Sequence, residues 1–226
     1  MASHVRSAPG RVRFGATTAG LLGLTALTVL LIVAAVAYTG QLSYVRLLWN
    51  LFLAWAPLGL AWLALRPGAT PWPVRLALGL AWLLFLPNAP YLVTDLMHLR
   101  YRGPMPLQYD VVLLFTAALN GLALGLISLY WMQEAVAAWL GQWPGRLFAL
   151  AALGAAGFGV YLGRYGRWNS WDVVVRPAAL ARDILLHLVH PRQHWQGWAL
   201  ALLFAALLLS AYWPLAILPM ASSEGR

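Results

Sequence analysis

The chain has 226 residues, of which 62% are hydrophobic and only 9% are charged. A soluble domain carries roughly 25% charged residues, so this composition excludes an ordinary soluble protein. The formal charge of +9 comes from arginines scattered at the ends of apolar segments, which favours anionic lipid headgroups over nucleic acid as partner. Because there is no cysteine, disulfides, thiolate metal sites and cysteine nucleophiles are excluded.

Six apolar segments are candidates for crossing the membrane, which takes on the order of 20 apolar residues. Four are full spans, at residues 17–38, 44–65, 109–132 and 198–218. Residues 72–86 and 147–162 are shorter, and at about 1.5 Å per residue neither quite crosses alone. The sequence therefore predicts an all-α bundle with six transmembrane spans. Residues 17–218 form one domain between a basic N-terminal tail (1–16) and a C-terminal tail (219–226).

The first short segment runs into the polar stretch LPNAPYLVTDLMHLRYR, from Leu86 to Arg102. A helix that stopped at Leu86 would expose backbone carbonyls to hydrocarbon, which is tolerated only where protein or water surrounds them. The two prolines therefore predict a kink in the third helix, which resumes near Pro90 with Asn88 as its N-cap. On the resumed helix, three- and four-residue spacing places one set of polar side chains on one face: Tyr91, Asp95, His98 and Arg102.

The second short segment ends in the similar polar stretch GRYGRWNSWDVVVRP. It carries Arg164, Arg167, Asn169 and Asp172. The next residues, 177–191, are too few to span and predict a helix lying in the membrane surface, with Asp183, His187 and His190 on its solvated face. Counting spans puts both polar stretches, and Asp110 at the start of the fourth span, on the same side of the membrane.

Short or proline-interrupted segments are typical of binding sites in membrane proteins. We therefore expect one polar recess at this face. The candidate catalytic residues are Asp95, His98, Asp110 and Asp172, and the candidate substrate-binding residues are Asn88, Tyr91, Arg164, Arg167 and Asn169.

Three functions fit such a recess. In an enzyme, Asp95 or Asp110 is the general base, and His98 is its partner or a ligand of a divalent ion such as zinc or manganese. In a transporter, Arg164, Arg167 and Asn88 bind a small polar or anionic solute. In a scaffold the loops contact a protein partner. The sequence identifies neither a cofactor nor that partner, and a structural network that pins the kinked helix is the alternative to catalysis.

Two further patterns concern helix packing. Small residues recur four apart in GLALG (Gly121 to Gly125) and GVYLG (Gly159 to Gly163), which lets helix backbones approach closely. Asn120 lies near the middle of the fourth span and predicts an interhelical hydrogen bond.

Several motifs in the same order resemble one family. They are FLPNAPYLVTDLMHL, the YD of Tyr109 and Asp110, YLGRYGRWNSWD and the HP of His190 and Pro191. Together they resemble the bacterial multi-pass membrane proteins of domain of unknown function 1361, from about the second span to the sixth. The resemblance implies topology and location in the bacterial inner (plasma) membrane, without an activity.

The arginines bear on orientation. Arg6, Arg11 and Arg13 precede the first span, and Arg66 and Arg75 flank the loop after the second. Positive charge in short loops is typical of the cytoplasmic side, so we expect a cytoplasmic N-terminus and a recess that faces outward. The loop after the fifth segment argues for the opposite orientation, since it carries Arg167, Arg176, Arg182 and Arg192.

Overall fold

A computed structural model describes residues 14–66, 68, 70–99 and 105–221, and these residues contain helices and connections but no strand. The helices in chain order are α1 (Phe14–Thr39), α2 (Val45–Leu65, after a 3₁₀ turn at Leu42–Tyr44), α3 (Trp72–Phe85), α4 (Asn88–Tyr91), a 3₁₀ helix (Leu92–His98), α5 (Leu107–Leu140), α6 (Gln142–Arg164), α7 (Asp172–Val175), α8 (Pro177–Val189) and α9 (Trp195–Ala221).

Six helical segments in the described residues are long and apolar enough to cross a membrane, as predicted. The prediction that the fifth is short was wrong, because α6 has 23 residues and begins at Gln142. Its first turns include Pro144 and Arg146, which ended the apolar pattern in the sequence. Proline is tolerated in a first helical turn, and an arginine near a helix end can extend its charge to the interface.

The third span is interrupted where the prolines predict it. α3 ends at Phe85, one turn of α-helix follows in α4, and a 3₁₀ helix continues to His98. The prediction that Asn88 caps the resumed helix was wrong, since the residue before α4 is Pro87. The Asn88 side-chain amide instead donates to the carbonyl oxygen of Phe85, 3.0 Å away, and so satisfies a carbonyl at the break.

The interrupted segment is enclosed by glycines of two neighbouring helices. A Cβ atom on Gly121 of α5 would collide with the backbone oxygen of Ala89, and a Cβ on Gly159 of α6 would collide with the ring of Pro87. Gly163 lies against the ring of Tyr91. The two glycine pairs therefore allow close packing, as predicted, and protein surrounds backbone that would be costly in lipid.

The long helix α5 packs against α1, α2, α6 and the 3₁₀ helix. Its Asn120 is fully buried, and the side-chain amide donates to the Thr25 hydroxyl of α1 at 3.1 Å. The indole of Trp55 in α2 also donates to Thr25. The predicted interhelical hydrogen bond is confirmed, and it links three spans in the middle of the bundle.

The short helix α8 has two different faces. Leu185, Leu188 and Val189 are exposed, whereas His187 is 5% exposed. The prediction that His187 lies on a solvated face was therefore wrong. Its Nε2 atom lies 3.1 Å from the Tyr161 hydroxyl of α6, and its ring packs edge-on against Phe158, so this histidine attaches α8 to the bundle.

Candidate functional site

Arg164, the last residue of α6, joins the two polar stretches. Its Nη1 atom lies 3.4 Å from Oδ1 of Asp95 and 3.4 Å from the hydroxyl of Tyr91. The other carboxylate oxygen of Asp95 accepts a hydrogen bond of 3.0 Å from the side-chain amide of Asn50 in α2. The predicted convergence of Asp95 with Arg164 is thus confirmed, and α2, α6 and the interrupted span meet there.

His98 contacts the same guanidinium. Its Nε2 atom lies 2.9 Å from Nη2 of Arg164, and a guanidinium can only donate. Nε2 must therefore accept, which leaves the ring hydrogen on Nδ1. The His98 side chain is 59% exposed, so it lies at the surface of the bundle.

Asp172 forms a second, separate cluster. Its Oδ2 accepts the backbone N–H of Asn169 at 2.8 Å, and its Oδ1 accepts two hydrogen bonds from Arg176 at 3.0 and 3.1 Å. The backbone N–H of Asn169, with support from Arg176, holds the pKa of this carboxyl below its ordinary value, against the opposing effect of burial. The lowered pKa favours the ionised carboxylate, which accepts hydrogen bonds from Asn169 in the loop before α7.

A further side-chain contact links the two polar stretches near these clusters. The amide of Asn88 donates to the hydroxyl of Ser170 at 2.8 Å, and that hydroxyl donates to the backbone oxygen of Leu84. Asn88 therefore has both backbone and side-chain partners, as expected for a polar group near a broken helix.

A cleft of about 310 Å³ lies beside these contacts, between α2 and α3 on one side and α6 on the other. Segment 168–184 contributes the remaining wall. Polar lining comes from Asn50, Asn88, Tyr91, Asn169 and Ser170, and the rest is mainly apolar or aromatic, including Trp49, Leu53, Leu83, Phe158, Trp168 and Ile184. A mainly apolar cleft with a few polar groups is typical of a small-molecule site.

Three amides of this lining are oriented by their partners. The nitrogen of Asn50 faces the Asp95 carboxylate, that of Asn88 faces the Phe85 carbonyl, and that of Asn169 faces Asp172. Each partner only accepts hydrogen bonds, so the amide oxygen must point away from it. Among the described contacts these three oxygens have no donor, and the Tyr91 hydroxyl, which accepts from Arg164, still has its own hydrogen to donate.

Some predicted site residues lie elsewhere. Asp110 accepts a hydrogen bond of 2.9 Å from the hydroxyl of Tyr44, and no described contact joins it to Arg164, so the prediction that it enters the same cluster was wrong. Arg167 is exposed and has a left-handed backbone with φ of 57°. Arg102 lies outside the described residues.

Two further residues of the site are partly predictable from the sequence. Asn50 and Arg46 are the two strongly polar side chains within the second apolar segment, and Ser170 lies inside the polar stretch after α6. The sequence does not show that Asn50 pairs with Asp95, because the two residues are 45 positions apart in the chain. Within the described ranges, no three His, Asp or Glu side chains come together as a metal site would require.

The six apolar spans define a multi-pass membrane protein, and its cleft at one face combines a mainly apolar wall with a few polar groups. The chain matches the family described as Protein of unknown function (DUF1361) over residues 49–211, and it belongs to that family. No curated protein and no solved structure shows significant similarity to it. The matched region contains every lining residue of the cleft.

Proposed function

We propose that the protein binds an amphipathic molecule in the cleft and holds its polar part through hydroxyl or amine hydrogen-bond donors. The observation that carries this proposal is the orientation of three amide oxygens, those of Asn50, Asn88 and Asn169, beside a mainly apolar wall. Amide oxygens accept hydrogen bonds, so they match hydroxyl or amine groups on a ligand.

An anionic head fits this cleft less well. Arg164, which contacts the lining residue Tyr91, is already paired with Asp95 and His98. A carboxylate or phosphate would have to compete with a buried partner for the same guanidinium. We therefore favour a neutral or cationic head over the anionic solute that the arginines first indicated.

Catalysis has weaker support than binding. Both carboxylate oxygens of Asp95 already accept a hydrogen bond, from Asn50 and from Arg164, so a substrate proton would have to share one of them. The contacts of Asp95 and Arg164 favour a positioning role for this pair, at the junction of three spans. The assignment of His98, Asp110 and Asp172 as catalytic groups stays a prediction.

The test compares two amphiphiles with the same alkyl chain, an octyl glucoside and octanoate, titrated into the full chain held in lipid nanodiscs. Native mass spectrometry counts the bound molecules. We expect a saturable adduct with the glucoside and none with octanoate, and weaker glucoside binding in Asn169→Ala. Preference for octanoate, or the same non-saturable uptake of both, would contradict the proposal.

A further inference from the structure

A second cleft lies at the opposite end of the bundle. It has a volume of about 690 Å³ and is formed by the last turns of α5 and α9 and the first turns of α6. The helices α6 and α9 touch nearer the other face, where a Cβ on Gly157 would lie 2.8 Å from the backbone nitrogen of Ala205. Beyond that contact the two helices leave room between them.

Groups of opposite charge line this cleft. Glu134 comes from α5, less than two turns before the helix ends, and Arg146 comes from the start of α6. The Glu134 carboxylate forms no salt bridge among the described residues, although it is only partly exposed within a membrane span. A carboxylate there is costly unless a cation accompanies it, so its position indicates a cationic partner.

Arg146 supplies the complementary contact. Its guanidinium lies 5.8 Å from the centre of the Trp143 ring, and a guanidinium has five N–H donors, so it can serve more than one acceptor. Phosphate is one of the groups that an arginine fork binds well, because two parallel N–H donors match its oxygens. One ligand that carries both a cation and a phosphate would match the charges of Glu134 and Arg146.

The remaining lining residues indicate how deep in the membrane the cleft lies and which part of the ligand is apolar. Trp143 and Trp213 are 73% and 62% exposed, as is typical of indoles at the level of the lipid headgroups. Between them the wall is aliphatic, with Leu147, Leu150 and Leu209. This arrangement places a polar head at the membrane interface and hydrocarbon chains against the helices.

We propose that this second cleft binds a phospholipid with an amine headgroup, its ammonium on Glu134 and its phosphate on Arg146. Phosphatidylethanolamine is the lipid that matches both side chains. Its ammonium donates hydrogen bonds to the Glu134 carboxylate, and its phosphate accepts hydrogen bonds from Arg146. An anionic lipid such as phosphatidylglycerol offers the phosphate alone and places no cation beside Glu134.

The experiment titrates phosphatidylethanolamine and phosphatidylglycerol of identical chains into the detergent-purified full chain, with native mass spectrometry to count adducts. We expect the ethanolamine lipid to bind about tenfold more tightly, since one charge-assisted hydrogen bond contributes at least about 1.4 kcal/mol. Glu134→Gln should remove that preference, whereas Arg146→Gln should weaken both lipids. Arg75→Gln, in α3 and outside the cleft, is the matched control.

Two tryptophan variants test the same cleft without changing its charges. Leu150→Trp fills the cleft, and Leu202→Trp places the same ring on an exposed position of α9 that does not line it. We expect only the first to abolish the adduct. Equal binding of the two lipids to the native chain, or the same loss in Leu202→Trp and Arg75→Gln as in the cleft variants, would overturn the proposal.

Discussion

The guanidinium of Arg164 lies 3.4 Å from the carboxylate of Asp95, although the two residues end different spans. Their side chains are only 15% and 5% exposed. Two buried charges are tolerated when they are paired and hydrogen-bonded, and here Asn50 and Tyr91 supply the further hydrogen bonds. The pair fastens the 3₁₀ helix after the proline break to the end of α6, beside the cleft.

Arg164→Gln should destabilise the protein strongly. Removing one partner of a buried ion pair costs about 3–5 kcal/mol, because the other charge is left uncompensated, and partial exposure of Arg164 puts the expected value at the lower end. Thermal unfolding in detergent measures it. Arg167→Gln, three residues along and exposed, should change the melting temperature little. If Asp95→Asn in the Arg164→Gln background recovers no stability, the pairing is not the cause.

Gly159→Ala should destabilise the chain, because the new Cβ would collide with the ring of Pro87. Overpacking of this kind costs about 1–3 kcal/mol, and a proline ring has little freedom to move aside. Gly154→Ala is the control in the same helix, since a Cβ there meets nothing within 4 Å. Equal melting temperatures for the two variants would show that α6 does not hold the broken segment.

The fold was largely predictable from the sequence, because span length and the prolines act locally. Residues 87–90 break the third helix wherever the helix packs, and a run of apolar residues crosses a membrane whatever its neighbours are. The full length of α6 was missed because Pro144 and Arg146 look like a boundary, although both are compatible with the start of a helix.

The site was predicted less completely, because tertiary packing selects one partner among several. Sequence places Asp95, Asp110 and Asp172 on one side, but each carboxylate takes a different donor: Arg164, Tyr44 and Arg176. His187 has helical spacing that fits a solvated face, and only the neighbouring α6 determines that it is buried. No local sequence pattern determines which donor each carboxylate takes, or that His187 is buried.

The effect of Asp172→Asn should depend on pH. Because the folded-state pKa of Asp172 is lowered, its ionised form contributes stability above the ordinary pKa of 3.8, and that contribution disappears as the pH falls through the folded-state pKa. The variant should melt at a lower temperature than the native chain at neutral pH. If the difference in melting temperature persists unchanged well below pH 3.8, the ionised carboxylate of Asp172 is not its cause.

The orientation of the chain in the membrane can be tested with reporter fusions. If the N-terminus is cytoplasmic, reporter domains fused after Gly103 and after Gln193 should both lie outside the cell, because both positions follow an odd number of spans. Activity of an export-dependent reporter, such as a phosphatase, measures this. Two cytoplasmic results would reverse the orientation, and one of each would contradict the count of six spans.

Ligand binding in the cleft between α2 and α6 can be tested with one pair of variants. Val173 lines the cleft, whereas its neighbour Val174 does not and is 81% exposed. Val173→Trp fills the space, and Val174→Trp adds the same ring outside it. Octyl glucoside binding in nanodiscs, followed by native mass spectrometry, should be lost in the first variant and kept in the second. Saturable binding that survives Val173→Trp unchanged would show that the glucoside does not bind in this cleft.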